Sequence, residues 1–318
     1  MNELIGNDIE KAAELLVAGQ LVAIPTETVY GLAAHALNEE AVANIFKAKN
    51  RPPTNPLIIH LANKEQISDY VTTIPGNAHK LIERFCPGPL TVVLPAKDIV
   101  PSIVTADRAT VAIRIPAHPV AHRLLTLSGI PLAAPSANPS SYISPTKAEH
   151  VLHTLGNKVS YILDGGECAA GIESTIIGFE DDIPVIYRQG IITADDIKAV
   201  TGVVRVYSGT ATLAPGMSAA HYSPKTPLLL TDNIETQLQQ YKAKSVGIIT
   251  YDNYVADIAT DRQILLCTDT DLGSAARNLY AAMHTMDNSG YDIIIAKKFP
   301  DAGIGRALND RLQRAAAK

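Results

Sequence analysis

Short apolar runs and amphipathic stripes alternate along the whole chain. Ile9, Ala12, Ala13, Leu15 and Leu16 recur at helical spacing behind Asn7 and Asp8, either of which suits the first turn as a cap. Residues 21–24 form a short apolar run stopped by Pro25, which predicts a strand. A second helix is predicted over 39–47, with Ala41, Val42, Ile45 and Phe46 on its buried face. Prolines at 52, 53 and 56 mark 50–56 as a loop. Further strands are predicted at 57–61, 90–94, 110–115, 131–134, 161–163, 174–178 and 185–187. Helices are predicted at 76–85, 119–127, 146–155 and 194–200. Many short strands among helices, without regular βαβ alternation, predict a domain of both element types around a mixed sheet.

The texture changes near residue 203. Segment 203–226 is rich in Ser, Gly and Pro and reads as a linker. Beyond it, apolar runs at 228–230, 246–250, 264–266 and 292–296 are separated or followed by helical stripes at 234–241, 272–284 and 306–316. That order predicts a small α/β domain with a parallel sheet. It has no Gly-x-Gly-x-x-Gly turn, so the sheet alone implies no nucleotide. The expected division is 1–202, 203–226 and 227–318.

Composition narrows the class. Of 318 residues, 47% are hydrophobic and 19% charged, which fits a chain with a real core rather than a disordered one. The net charge of −5 argues against a non-specific coat on duplex nucleic acid. Residues 1–202 carry −6 of it, with 15 basic and 21 acidic side chains, so the basic clusters there stand out. No apolar run approaches the ~20 residues of a membrane span. The polar N-terminus does not read as a signal peptide, so none is expected. Cys86, Cys168 and Cys267 are too scattered for a disulfide framework or a zinc knuckle, which makes a reducing cytoplasm the expected setting.

Three loops carry candidate chemistry. Pro25-Thr26-Glu27-Thr28 sets two hydroxyls and a carboxylate after a buried strand, and Lys47, Lys49 and Arg51 cluster shortly after. Those cations suit either a helix C-terminus or a phosphate clamp. AAPSANPSSYISP, at 133–145, offers small residues, hydroxyls and an amide, as a ligand loop or as an ordinary surface loop. Gly165 and Gly166 begin a third loop, which ends in Glu173, Ser174 and Thr175; it is not a Walker motif. Arg114 within VAIRIP must be paired or face a cavity. His60 within LIIHLA also fits a satisfied core histidine. No His-Glu-x-x-His and no Gly-x-Ser-x-Gly elbow occurs.

Taken in order, PTETVYGLA, KAKNRP, NPLIIH, VAIRIPAHP, APSAN, SPT and IESTII resemble the YrdC family of threonylcarbamoyl-AMP synthases over about residues 5–202. APGMSAAHYSPKTPL and the following α/β segment are similar to the family's long, two-domain form. The resemblance implies an α/β twist catalytic domain, a small Rossmann-like domain and a linker over the active site. It implies condensation of L-threonine, bicarbonate (or CO2) and ATP into L-threonylcarbamoyladenylate and pyrophosphate. The product then passes to a tRNA threonylcarbamoyl-transferase, with weak contact to tRNA as a further partner. By resemblance, Thr28, His60, Arg114 and Ser174 line the threonine pocket. Lys49 and Arg51 are the catalytic cations. With Asn55, Thr110, Ser136, Asn138, Ser144, Arg188 and His221 they form the ATP site. Mg²⁺ is expected on the triphosphate, held mostly by substrate oxygens. Thr26 competes with Thr28, because alternation along an extended chain puts both on one face. Ser218, Ala219 and Ala220 depart from the family's basic and tyrosine residues in the linker. The alternative is a YrdC-like module that binds RNA and makes no adenylate.

Overall fold

The structure, a computed structural model, describes residues 4–209, 214–216, 221–269 and 271–317. Ser218, Ala219 and Ala220 lie outside the described residues. Two sheets organise the chain. The larger has eleven strands, in spatial order Ile5–Gly6, Tyr161–Leu163, Val22–Ile24, Gly31–His35, Leu132–Ala133, Ile58–His60, Thr110–Arg114, Leu90–Pro95, Thr175–Glu180, Ile183–Arg188 and Arg205–Val206. It is mixed: Val22–Ile24 runs parallel to Tyr161–Leu163 and antiparallel to Gly31–His35.

Alternation along the strands covers both faces. Ala23 and Leu32 point into one core with Ile45, Leu57, Ile59 and Ile113. Val22, Ile24 and Ala33 point the other way, against Ala12, Leu16, Leu124 and Leu125. The latter four lie on helices Ile9–Val17 and Pro119–Ser128. Asp8 caps the first helix by accepting from the Lys11 N–H. Helix Glu39–Lys49 runs two residues past its predicted end and stops at Asn50, whose φ of 51° is left-handed. Asparagine tolerates that conformation better than most residues.

Strands Gly31–His35 and Arg205–Val206 escape sequence patterning for opposite reasons. The first, GLAAH, is buried but built of small residues with weak strand preference. The second is exposed at the sheet edge, so no apolar face marks it. It pairs with Ile183–Arg188 and therefore ties the start of the 203–226 segment to the large sheet.

The small sheet is wholly parallel, in the order Leu228–Thr231, Ile293–Lys297, Val246–Thr250, Gln263–Leu265. Its helices Leu272–Asp287 and Ile304–Ala316 share a buried cluster with Val29, Ile143 and Ile172 of the first part. Gly171 makes the close approach there. Its φ is +75°, and a Cβ would sit 2.3 Å from Arg277 Cα. Gly171→Ala is therefore expected to destabilise the protein by about 1–3 kcal/mol, read as a lower thermal midpoint. An unchanged midpoint would contradict this packing.

Histidines cross the same boundary. His150 and His284 stack with ring centroids 4.0 Å apart. The His150 Nδ1 accepts from the Thr146 N–H, and His284 Nε2 lies 3.2 Å from the Ser144 carbonyl. Burial lowers the pKa of His150 to about 3 and of His284 to about 4. The unfolded chain takes up these protons near pH 6.5, so the stability is whole above that and is lost as pH falls towards 4. Stability is expected to drop between pH 7 and 5. His150→Gln should reduce that slope by about one proton, read from urea midpoints across pH. No helix among the described residues is long and apolar enough to cross a membrane.

Candidate active site

The chemistry-bearing residues collect at strand ends. Ile58–His60 and Thr110–Arg114 run parallel in a register that sets His60 beside Arg114. On its other side Arg114 faces Thr91 of the antiparallel strand Leu90–Pro95. Ser174, just before Thr175–Glu180, meets Thr91 with its hydroxyl at 2.7 Å. Sheet register thus sets His60, Arg114 and Thr91 in a row, and the hydroxyl contact adds Ser174 from a fourth segment. Thr28, His60, Arg114 and Ser174 line one cavity with Arg51, Ser136, Glu173, Arg188, His221 and Tyr222.

The two threonines separate. Thr26 Oγ1 donates to the Val29 carbonyl at 2.6 Å and accepts from the Thr28 and Val29 N–H groups at 3.2 Å. The turn consumes its hydroxyl. A turn replaces the extended chain on which the shared face was expected, so Thr28 reaches the cavity wall and Thr26 stands behind it at 2.9 Å.

Arg114 is 5% exposed, and its Nη2 lies 2.8 Å from Glu27 Oε1. Neither that nitrogen nor the Glu27 oxygens make an aligned hydrogen bond, so the contact is one of charge. Burial and the adjacent Arg114 lower the His60 pKa to about 3. His60 is therefore a neutral hydrogen-bonding group and not a cation.

The cations divide between cavity and scaffold. Arg51 donates to the carbonyls of Asn55 at 3.2 Å and Pro56 at 2.8 Å and still faces the cavity. Arg188 donates to the Ser174 carbonyl, the Ser174 hydroxyl and the Pro215 carbonyl. It joins the sheet to the linker. Lys49 instead donates to the carbonyls of Ser136 and Asn138. Burial, then Arg51, lowers its pKa well below the usual lysine value. It braces the loop that presents Ser136 and does not reach the cavity wall.

Four other residues expected at the nucleotide also lie off that wall. The Asn138 amide donates to the carbonyls of Pro139 and Tyr142. The Ser144 hydroxyl donates to Glu173 at 2.6 Å. Asn55 is buried in the loop that Arg51 closes. Thr110 begins the strand that ends at Arg114, about 13 Å away along an extended chain.

His221 is half-buried on the wall, where desolvation lowers its pKa to about 3, and its ring centroid is 4.1 Å from that of Tyr222. Glu173 and Tyr222 line the cavity, although sequence reasoning assigned neither a role. Glu173 was visible inside IESTII, beside Ser174. Burial alone raises its pKa; Arg311, Arg188 and the Ser144 hydrogen bond outweigh that and hold it at about 2. Among the described residues, no three His, Cys, Asp or Glu side chains are grouped to hold a metal.

Comparison with known proteins gives this geometry a family. Residues 14–190 match the Sua5, YciO and YrdC model described as "Telomere recombination". Residues 192–317 match "Threonylcarbamoyl-AMP synthase, C-terminal domain". A threonylcarbamoyl-AMP synthase of Bacillus subtilis is 43% identical, with 99% of this chain and 95% of that protein covered. One from Pyrococcus abyssi is 42% identical, with 96% and 93% covered. The crystal structure of P. abyssi Sua5 complexed with L-threonine superposes with a TM-score of 0.91 at 39% identity, over 99% of this chain and 98% of that one. The chain belongs to the Sua5, YciO and YrdC family and carries in addition the C-terminal domain of the threonylcarbamoyl-AMP synthases.

Proposed function

We propose that the protein condenses L-threonine, bicarbonate (or CO2) and ATP into L-threonylcarbamoyladenylate and pyrophosphate. The observation that carries this reading is the row of His60, Arg114 and Ser174, with Thr28, in a buried cavity shared with Arg51 and Arg188. A cation flanked by hydroxyls and a neutral imidazole suits the carboxylate and hydroxyl of a small amino acid. Two further arginines beside it suit phosphates.

The threonine amine attacks the carbon of CO2 and gives up a proton to form a carbamate; from bicarbonate the same N–C bond forms with loss of water. A carbamate oxygen then attacks the α-phosphorus of ATP, and pyrophosphate leaves. The protein's task is to hold anions in line and to stabilise charge on the departing phosphates. Arg114 anchors the threonine carboxylate, while Arg51 and Arg188 face the phosphates. Lys49 acts one step removed, by fixing the Ser136–Asn138 backbone. No covalent intermediate is required.

Among the described residues there is no carboxylate cage for a cation. Glu173, the carboxylate on the wall among those residues, is already surrounded by donors. We therefore read Mg²⁺ as a companion of the triphosphate, held by phosphate oxygens and water.

The cavity encloses about 50 Å³. Ligand sites usually have roughly 300–1,000 Å³. Pro215, Gly216, His221 and Tyr222 form part of the wall, and substrates of this size need a wider cavity than this one. The product, a reactive mixed anhydride, would be handed to a tRNA threonylcarbamoyl-transferase in the cytoplasm. Incubation with ATP, L-threonine, bicarbonate and Mg²⁺ should release pyrophosphate only when threonine is present. Threonine-independent release, or none, would sink the reading.

A further inference from the structure

A cavity suited to polyanions has a carboxylate on its wall, and most of what surrounds that carboxylate comes from the small domain. Tyr280, on helix Leu272–Asp287, donates to Glu173 at 3.0 Å. Arg311, on helix Ile304–Ala316, donates from Nε at 2.9 Å. Ser144 supplies the third donor at 2.6 Å. Arg311 is fully buried, and its remaining nitrogens donate to the Gln189 carbonyl and to Asp310 at 2.8 Å each. Its guanidinium carbon also lies 5.3 Å from the centre of the Tyr222 ring. One small-domain side chain therefore touches the wall carboxylate, the strand end beyond Arg188 and the linker tyrosine.

An unpaired Glu173 would oppose a triphosphate at close range in a site that screens charge poorly. Paired, the same group adds almost no net field. The groups facing it are Arg188 from the neighbouring strand, His221 and Tyr222 from the linker, and Tyr280 and Arg311 from the small domain. His221 is neutral, so Arg188 and Arg311 are the two cations of this set.

We propose that Arg311, assisted by Tyr280, is a positioning residue that neutralises Glu173, so that the small domain completes the ATP site without touching ATP. This rests on the cavity being the nucleotide site proposed above. It gives the small domain a part in the reaction, because without it the wall carboxylate loses the larger of its two counter-charges and keeps only Arg188. It also predicts which substrate suffers. ATP carries the phosphates that Glu173 would repel, whereas threonine is a zwitterion.

Calorimetric titration of the full chain with ATP tests this without turnover. Arg311→Met should weaken ATP binding at pH 8 at least tenfold and L-threonine binding much less. In that variant Glu173 has lost its main counter-charge, and burial raises its pKa. The variant-to-wild-type ratio of ATP affinities should therefore recover as pH falls from 8 to 6. Arg311→Met with Glu173→Gln should bind ATP within about threefold of wild type at pH 8. A constant deficit across pH that Glu173→Gln does not relieve would reduce Arg311 to packing and overturn the proposal, as would ATP affinity unchanged in Arg311→Met. If Arg311→Met does not fold, Arg311→Lys decides. It keeps the charge but loses the fork to Gln189 and Asp310, and should stay within about threefold for ATP; a larger loss overturns the proposal. Wild-type protein that binds no ATP would remove the nucleotide site itself, and the proposal with it.

Discussion

Arg114→Ala is expected to weaken L-threonine binding by about 2–5 kcal/mol, or roughly thirty- to several-thousandfold. Arg114 is 5% exposed at the end of a buried strand, so its charge is poorly screened. The row His60–Arg114–Thr91 fixes its backbone on both sides. Removing the guanidinium does more than delete a contact. It leaves Glu27, now 2.8 Å from Arg114, without its counter-charge beside an incoming carboxylate. Adding Glu27→Gln to the Arg114→Ala variant should therefore recover part of the loss. Arg114→Lys should recover little, because an ammonium lacks the planar fork and cannot reach both Glu27 and the Gly88 carbonyl as Arg114 does. Calorimetry with L-threonine reads all three variants; affinity unchanged in Arg114→Ala would refute the role.

Arg51→Ala should lower turnover by about a thousandfold or more, while threonine affinity stays near wild type. The size follows from the stabilisation that a positioned arginine gives a phosphoryl-transfer transition state. The fold should survive, because the Arg51 hydrogen bonds go to Asn55 and Pro56 of its own loop and cross no domain boundary. Pyrophosphate release gives the rate, and a thermal melt checks the fold. Turnover within tenfold of wild type would separate Arg51 from the reacting phosphates. Lys49→Ala provides the contrast. It removes the brace under Ser136 and Asn138, so it should lower both kcat and threonine-independent ATP binding by shifting that loop.

Most elements were legible because their causes are local. Helix Gly76–Phe85 and strands Tyr161–Leu163 and Val246–Thr250 match their predicted spans to the residue. Each is an amphipathic stripe or an apolar run between clear breakers. Gly31–His35 was not legible, because its small residues are chosen for close packing within the sheet and carry no strand signal. The site divides in the same way. Arg114 announced itself as a charge within an apolar strand, and Arg51 as part of a basic cluster in an acidic domain. The separation of Thr28 from Thr26 depended on a turn that the run PTET does not reveal. Lys49 looked as free as Arg51 until the fold laid two carbonyls against it.

By itself, then, the sequence determined most of the segments that become strands and helices, that the first sheet is mixed and the second parallel, and which residue types supply cations and hydroxyls. Those properties follow from periodicity, turn chemistry and side-chain identity over a few neighbouring residues. Only the tertiary structure decided which of these groups share a cavity and which are spent on the scaffold. It alone paired Arg311 with Glu173, 138 residues away in the chain. Register between strands and charge pairing between domains are long-range, and a buried charge shows no sign in a linear sequence of where its partner lies.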